Sequence, residues 1–487
     1  MKITDIRATT VTVPLKAPLR HAAVRIGADL FALKEKAIMK TNGTGKNNNE
    51  NARLTERAEL HRQVEDVVTT TPVIDIHTHL FSTEFGEMNL SGIDELLTYH
   101  YLVAETFRST EISPEVFWQL NKTQQADLVW QTLFVDNSPL SEATRGVITI
   151  LSAFGLDPNA QDLWEIREFF QTRDVSSHFD DVLEKACVSD VVMTNDPFDP
   201  QEIEVWRKDK TVDIRFHAAL RMDRLLNNWK NTAEKLAGFG YRADVNMGGK
   251  TVREVRRFLD EWVEIMNPLY MAVSLPDDFE FPTGDVRNRI INEVVLPTAR
   301  EHDLPFALMI GVRRNVNPAL RAAGDGLGRA DVGAVERICV ENPDVRFLAT
   351  FLSRENQHEL CVSARKFSNL MPFGCWWFLN NPSIVSEITR ERLELLGTSF
   401  IPQHSDARVL EQLIYKWLHS RRVIADVLFD SYEQLLSSGR AVTRREIERD
   451  VARMFSGNFR EWVGLPLLEK DAMKDYRFED VDAAQIF

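Results

Sequence analysis

The sequence predicts a distorted (β/α)8 TIM barrel of the α/β class, with a long helical insertion after the first strand. Three observations carry that prediction. Eight strand-like apolar runs recur along the chain, helical stretches stand between most of them, and the first run ends in two histidines one residue apart. The runs are 72–79, 188–194, 212–219, 270–275, 305–311, 345–352, 366–374 and 398–404. Eight parallel strands close on themselves, and their carboxyl ends then share one mouth where functional side chains gather.

Residues 1–17 alternate in strand fashion (Ile3, Ile6, Thr10, Val11, Val13), while Thr41 to Asn51 is a run of Thr, Gly, Lys and Asn that reads as a flexible linker. Residues 1–51 are therefore an appendage and linker, and 52–487 form the barrel domain. Arg53 to Val68 reads as an amphipathic helix. Pro72 opens the first strand, and β-branched Val73, Ile74 and Ile76 mark it as buried. Residues 84–180 are too long for an ordinary βα loop and contain helical stretches at Gln124–Val135 and Ser141–Phe154. They are expected to pack over or beside the mouth. Further helices are expected over Thr251–Asn267, Val286–His302, Ser383–Leu396 and Val409–Phe429.

Composition narrows the function classes. In 487 residues, 44% are hydrophobic and 27% charged, as in an ordinary soluble globular protein. A net charge of −15, with no Lys/Arg stripe among aromatics, argues against nucleic acid as a partner. A small anionic substrate is compatible, because local arginines can reverse the field in a cleft. The four cysteines, Cys187, Cys339, Cys361 and Cys375, have no paired short spacing, so neither a disulfide framework nor a thiolate zinc site is indicated. With no apolar signal core and no membrane-length run, a soluble cytoplasmic protein is expected. The oligomeric state is left open, a homo-oligomer being compatible.

His77 and His79 end the first strand, and alternation points both side chains one way. Two imidazoles on rigid backbone are half of a metal site; the alternative is a hydrogen-bonded pair in a polar cleft. Asp75 could hold a ring nitrogen from behind. The eighth run ends in Ser405-Asp406-Ala407-Arg408, and first and eighth strands are neighbours in a closed barrel. Asp406 could thus complete a His, His, Asp ligand set with open positions, and Arg408 could pair with a substrate carboxylate. Without the barrel, the same two residues read as a helix cap and a solvated arginine. Thr98-Tyr99-His100-Tyr101 offers a proton donor and acceptor, Arg221 follows the third strand where a cationic clamp would sit, and Gly374-Cys375-Trp376-Trp377-Phe378 could wall a sugar face.

As an ordered set these pieces resemble the uronate (glucuronate) isomerases of the amidohydrolase superfamily. The set is His77-Thr78-His79, His100-Tyr101, Asn195-Asp196-Pro197, Arg221 and Asp223, Gly374 to Phe378, and Ser405 to Arg408. The resemblance covers about residues 52–470. The first 22 residues resemble instead the opening strand of an enolase-superfamily capping domain, with no catalytic residue.

The resemblance implies that His77, His79 and Asp406 bind a divalent metal, commonly zinc. It also implies that His100, Tyr101, Arg221, Trp376 or Trp377, and Arg408 surround an open-chain sugar acid. The implied reaction interconverts D-glucuronate and D-fructuronate, or D-galacturonate and D-tagaturonate, through an enediol with Asp406 or Tyr101 as the base. The sequence departs from the family pattern in two places. Met309-Ile310-Gly311 stands where a histidine precedes Ile-Gly, and Ser274-Leu275-Pro276-Asp277-Asp278 stands where Asp-His-Gly is found. His217 and His404 lie on strands and read as core or supporting histidines. The rival readings are a metal-dependent hydrolase, lactonase or decarboxylase on the same scaffold, and an inactive sugar-acid binder.

Overall fold

The computed structural model describes residues 50–208 and 212–467. The strand-like opening and nearly all of the expected linker lie outside the described residues. In chain order the strands are β1 (Val73–Thr78), β2 (Val188–Asn195), β3 (Phe216–Arg221), β4 (Met271–Pro276), β5 (Phe306–Arg313), β6 (Gly326–Leu327), β7 (Phe347–Phe351) and β8 (Leu370–Pro372). All but β6 lie side by side in sequence order, and every neighbouring pair among them is parallel. The two-residue β6 pairs antiparallel with the end of β5.

The eighth place in the ring belongs to residues 400–407, which bond to both neighbours without forming a ladder. On one side Gly374 N–H donates to Ile401 O (2.9 Å) and Ile401 N–H to Pro372 O (3.1 Å). On the other, Asp406 N–H donates to His77 O (3.2 Å) and His79 N–H to Ala407 O (2.7 Å). The expected strand at 398–404 is therefore an irregular stave. Pro402 has no N–H to give, and Asp406 takes the left-handed conformation at φ 52°, which no strand accommodates.

Side chains replace the missing ladder. The Asp75 carboxylate accepts from Ser405 N–H (3.1 Å) and Trp417 Nε1–H (2.8 Å). Buried Arg392 donates to Ile401 O (3.2 Å) and Gly374 O (2.9 Å). Asn458 donates to Phe400 O (2.8 Å), and Gln403 joins Cys375 N–H (2.8 Å) to Ser420 Oγ (3.1 Å).

The barrel interior is a layer of small and medium side chains contributed around the ring: Ile74 and Ile76 from β1, Val192, Ala219, Ala272, Ala307, Met309, Leu348 and Ile401. The alternate residues pack outward under helices, as Val191, Met193, Leu308 and Phe347 do. Helices form where expected, with shifted ends: Arg57–Thr70, Gly249–Met266, Pro382–Leu396 and Gln412–Ser437, while Val286 to Glu301 is helical with a π-helical turn at Ile291–Val295. The third strand starts four residues later than its apolar run, because Asp213 caps a turn, its carboxylate accepting from Arg215 N–H (2.9 Å) and its carbonyl from Phe216 N–H (2.8 Å). β8 is likewise shorter than 366–374, since Leu370 N–H closes a turn onto Phe367 O (3.1 Å).

The insertion has a core of its own around Ile93, Leu97, Leu102, Phe117, Val129 and Trp130. Its last helix, Val175–Ala186, packs on β2 through Phe179, Val182 and Leu183, so the barrel layer resumes before residue 180. Buried Glu411 pins the insertion to the stave, accepting from Gly92 N–H (2.9 Å) and facing His178 Nε2 (2.7 Å). Among the described residues, no helix is long and apolar enough to cross a membrane.

At the end of β2, Asn195 Nδ2–H donates to Glu202 Oε2 (2.9 Å) and Asp196 N–H to Glu202 Oε1 (3.1 Å). Burial pushes the Glu202 carboxyl up to about 8 against those two bonds. A carboxyl raised on folding is neutral in both states at low pH, and its penalty grows as the unfolded chain ionises first. Stability should therefore fall from about pH 4.5 to pH 8 by on the order of 4–5 kcal/mol from this group, and Glu202→Gln should flatten that decline in urea midpoints measured against pH. Gly374 has φ 64°, and a Cβ there would lie 1.7 Å from His404 Nδ1. Gly374→Ala is expected to cost roughly 2–4 kcal/mol of unfolding free energy; an unchanged urea midpoint would contradict this seam.

Candidate active site and metal centre

Ile74 and Ile76 face the barrel interior, so unbroken alternation would send His77 outward to the helices. The register of β1 against β2 prevents this: Asp75 pairs with Val191 but Thr78 with Met193, so β1 carries one extra residue. That bulge reverses the phase and turns His77 and His79 together, their ring centroids 5.6 Å apart.

Hydrogen bonds behind the rings set their tautomers. Tyr270 O–H donates to Ile76 O (2.5 Å), so its oxygen accepts from His77 Nδ1–H at 3.3 Å. Thr194 Oγ1–H donates to Thr78 O (2.8 Å), so it accepts from His79 Nδ1–H at 2.9 Å. With Nδ1 engaged behind each ring, Nε2 is the nitrogen turned toward Asp406. The two Nε2 atoms face Asp406 Oδ1 at 3.9 Å and 3.4 Å, and that buried oxygen has no hydrogen-bond partner.

Among the described residues, these three form the only group of His, Cys, Asp or Glu with all donor atoms within 4.8 Å of one another. Burial pushes the Asp406 carboxyl up, but His79, His77 and His404 outweigh it and hold it well below the usual carboxylate range. Two ring nitrogens and an anionic oxygen converge here. That donor set suits a divalent metal with open coordination positions.

The other expected residues are distributed unevenly. His100 and Tyr101 start the helix His100–Ser109 with ring centroids 4.4 Å apart, and both line a cavity of about 250 Å³ together with Trp377. Burial pushes His100 down to about 4 and the Tyr101 phenol well above its ordinary value, so both are neutral at pH 7. Trp377 stacks on Phe378 at 4.7 Å and stands 5.5 Å from His100, whereas Trp376 is buried in the interior layer. Arg408 is exposed, and its guanidinium makes no ion pair among the described residues. Arg221 reaches the small space beside His77 and His79, but its fork is engaged by Asp223 at 3.0 and 3.3 Å.

Some expectations change. Asp75 does not hold a histidine ring; it points outward and braces residue 405 and the helix Gln412–Ser437, because it falls before the bulge. His217 sits near the start of β3, 3.0 Å from Asp190, away from the mouth. His404 is fully buried 5.4 Å from the His77 ring with neither nitrogen bonded, and burial pushes it down to about 4. Met309 lines the space beside His77 and His79, so the wall where the family pattern has a histidine is a thioether here. Thr194, Tyr270 and Lys416 were not singled out from sequence. Thr194 and Tyr270 carry no local signature, but Lys416 stands out as a lone cation in Leu413-Ile414-Tyr415-Lys416-Trp417.

A closed barrel with His-x-His ending its first strand and an aspartate on its eighth stave defines a member of the amidohydrolase superfamily. No protein-family model and no curated protein matches the chain. Among solved structures, it is similar to a uronate isomerase from Bacillus halodurans C-125, with 55% identity and a TM-score of 0.83, covering 85% of this chain and 98% of that one. The chain belongs to the uronate isomerase family. The fold is shared with a uronate isomerase from Thermotoga maritima (16% identity, TM-score 0.67, 87% of this chain and 100% of that one). It is also shared with a glucuronate isomerase from Caulobacter crescentus (14%, 0.68, 87% and 98%).

Replacing His77 and His79 together by alanine should abolish stoichiometric metal in the purified protein, as read by elemental analysis; unchanged content would remove the ligand assignment. Thr194→Val should leave metal bound but weaken it roughly 10–100-fold, measured by competition with a chelator.

Proposed function

We propose that this protein is a metal-dependent uronate isomerase that interconverts D-glucuronate and D-fructuronate, or D-galacturonate and D-tagaturonate. Its proposed metal is zinc, its compartment the cytoplasm and its role the catabolism of glucuronate. The observation that carries the reading is the 55% identity to a uronate isomerase over 98% of that protein's length.

The residue chemistry supports it. Transfer of a proton between C2 and C1 of an α-hydroxy aldehyde needs a base, an acid and positive charge for the developing oxygen anion. Tyr101 stays protonated in its buried place and is assigned as the proton donor. Asp406, the ionised carboxylate of the site, is then the base. Arg408 presents a free fork for the substrate carboxylate, while Arg221 can offer only the N–H groups that Asp223 leaves. Trp377 and His100 wall the sugar chain. A metal bound by His77, His79 and Asp406 would orient substrate oxygens and draw charge from them.

Turnover of D-glucuronate in deuterated water should place solvent deuterium in the recovered ketose, observed by proton NMR. Asp406→Asn should lower kcat at least about 100-fold. Turnover without solvent label would eliminate the enediol route, and silence on both uronates would eliminate the activity.

A further inference from the structure

Lys416 is buried, 4% exposed, on the first turns of the helix Gln412–Ser437, and lines the same 250 Å³ cavity as His100, Tyr101 and Trp377. Among the described residues its ammonium has neither an ion pair nor a hydrogen bond. It rests instead on two ring faces, 5.1 Å from Tyr101 and 5.2 Å from Tyr415. Tyr415 is itself fixed, because its ring lies against Gly146, where a Cβ would come within 2.6 Å of it.

Three carboxylates share the cavity wall, and each is already engaged elsewhere. Glu142 holds His419 Nδ1 (2.6 Å) and Arg145 (2.6 Å). Asp325 pairs with Arg314 and accepts from Asn315 N–H (2.9 Å), and Glu105 is held by Ser141. Lys416 is thus the cation of this wall with no carboxylate in contact among the described residues; Glu142, Asp406 and Asp75 act on it only through space. Burial lowers it to about 8, which leaves it mostly charged at pH 7. A buried unpaired ammonium is costly unless something anionic meets it.

We propose that Lys416 is a substrate-contacting cation, whose ammonium neutralises an oxyanion of the sugar acid held in this cavity. The inference rests on the sugar-acid reading above. Two oxygens share the required chemistry: the permanent carboxylate and the enediolate oxygen that forms during proton transfer. They separate kinetically, because a carboxylate contact is made in the ground state and an enediolate contact only in the transition state.

The test compares wild type, Lys416→Met and Lys416→Arg in uronate turnover and in calorimetric titration with D-gluconate, which has the carboxylate but no carbonyl to enolise. A carboxylate contact predicts at least tenfold rises in KM and in the D-gluconate Kd of Lys416→Met. An enediolate contact predicts at least a tenfold fall in kcat with D-gluconate affinity unchanged. In either case Lys416→Met should melt no lower than wild type and keep its metal, and Lys416→Arg should recover most of the loss. Unchanged kcat, KM and Kd in Lys416→Met overturn the inference while leaving the isomerase reading intact. If Lys416→Met fails to fold, Lys416→Arg decides alone: wild-type kinetics support the cation, and a loss as large as that of an inactive site overturns it. A wild type that binds D-gluconate yet turns over no uronate removes the isomerase reading and leaves the gluconate arm to decide Lys416. A wild type that does neither overturns both.

Discussion

Closure of the ring by residues 400–407 is the constraint on which the rest of this structure depends. The stave has too few backbone bonds to hold itself, so Asp75, Arg392, Gln403 and Asn458 hold it from its two flanks. Freed from strand geometry, the chain can place Asp406 in the left-handed region and aim its carboxylate into the mouth. A regular eighth strand would have kept that carboxylate in the alternation of the sheet. The same irregularity explains Gly374, whose absent side chain leaves room for the His404 ring beneath the stave.

On the opposite side of the seam, a single extra residue in β1 does comparable work. It sets Ile74 and Ile76 into the interior and still brings His77 and His79 round to Asp406. The bonds to Tyr270 and Thr194 then decide which nitrogen of each ring turns toward Asp406. Orientation and electron supply are fixed before any ligand arrives, and such pre-organisation is what distinguishes a metal centre from two histidines in a wet cleft.

The insertion completes the mouth. It delivers His100 and Tyr101 as neutral groups beside a negative Asp406, in a cavity walled by Trp377 and backed by Lys416. The Lys416 ammonium lies 5.1 Å from the Tyr101 ring in that cavity, and the Asp406 charge acts on both through space. Met309 and Ser274 line the space by His77, His79 and Arg221.

The amino-acid sequence by itself determined the barrel, the order of its staves, the long insertion and the meeting of His77, His79 and Asp406. Apolar runs of strand length and a His-x-His at the end of one of them are local properties, and local properties survive in a linear string. It could not determine which way those residues face. Asp75 reads as a support for a histidine ring, whereas the bulge between Asp75 and Thr78 leaves it facing Ser405 and Trp417 instead. The turn at Asp213 and the proline in the last stave likewise moved or dissolved strands that hydrophobicity had outlined. Tautomers, the unengaged fork of Arg408 and the placing of Lys416 without a contacting carboxylate were decided only by tertiary structure, because each depends on partners far along the chain or, among the described residues, on the absence of one.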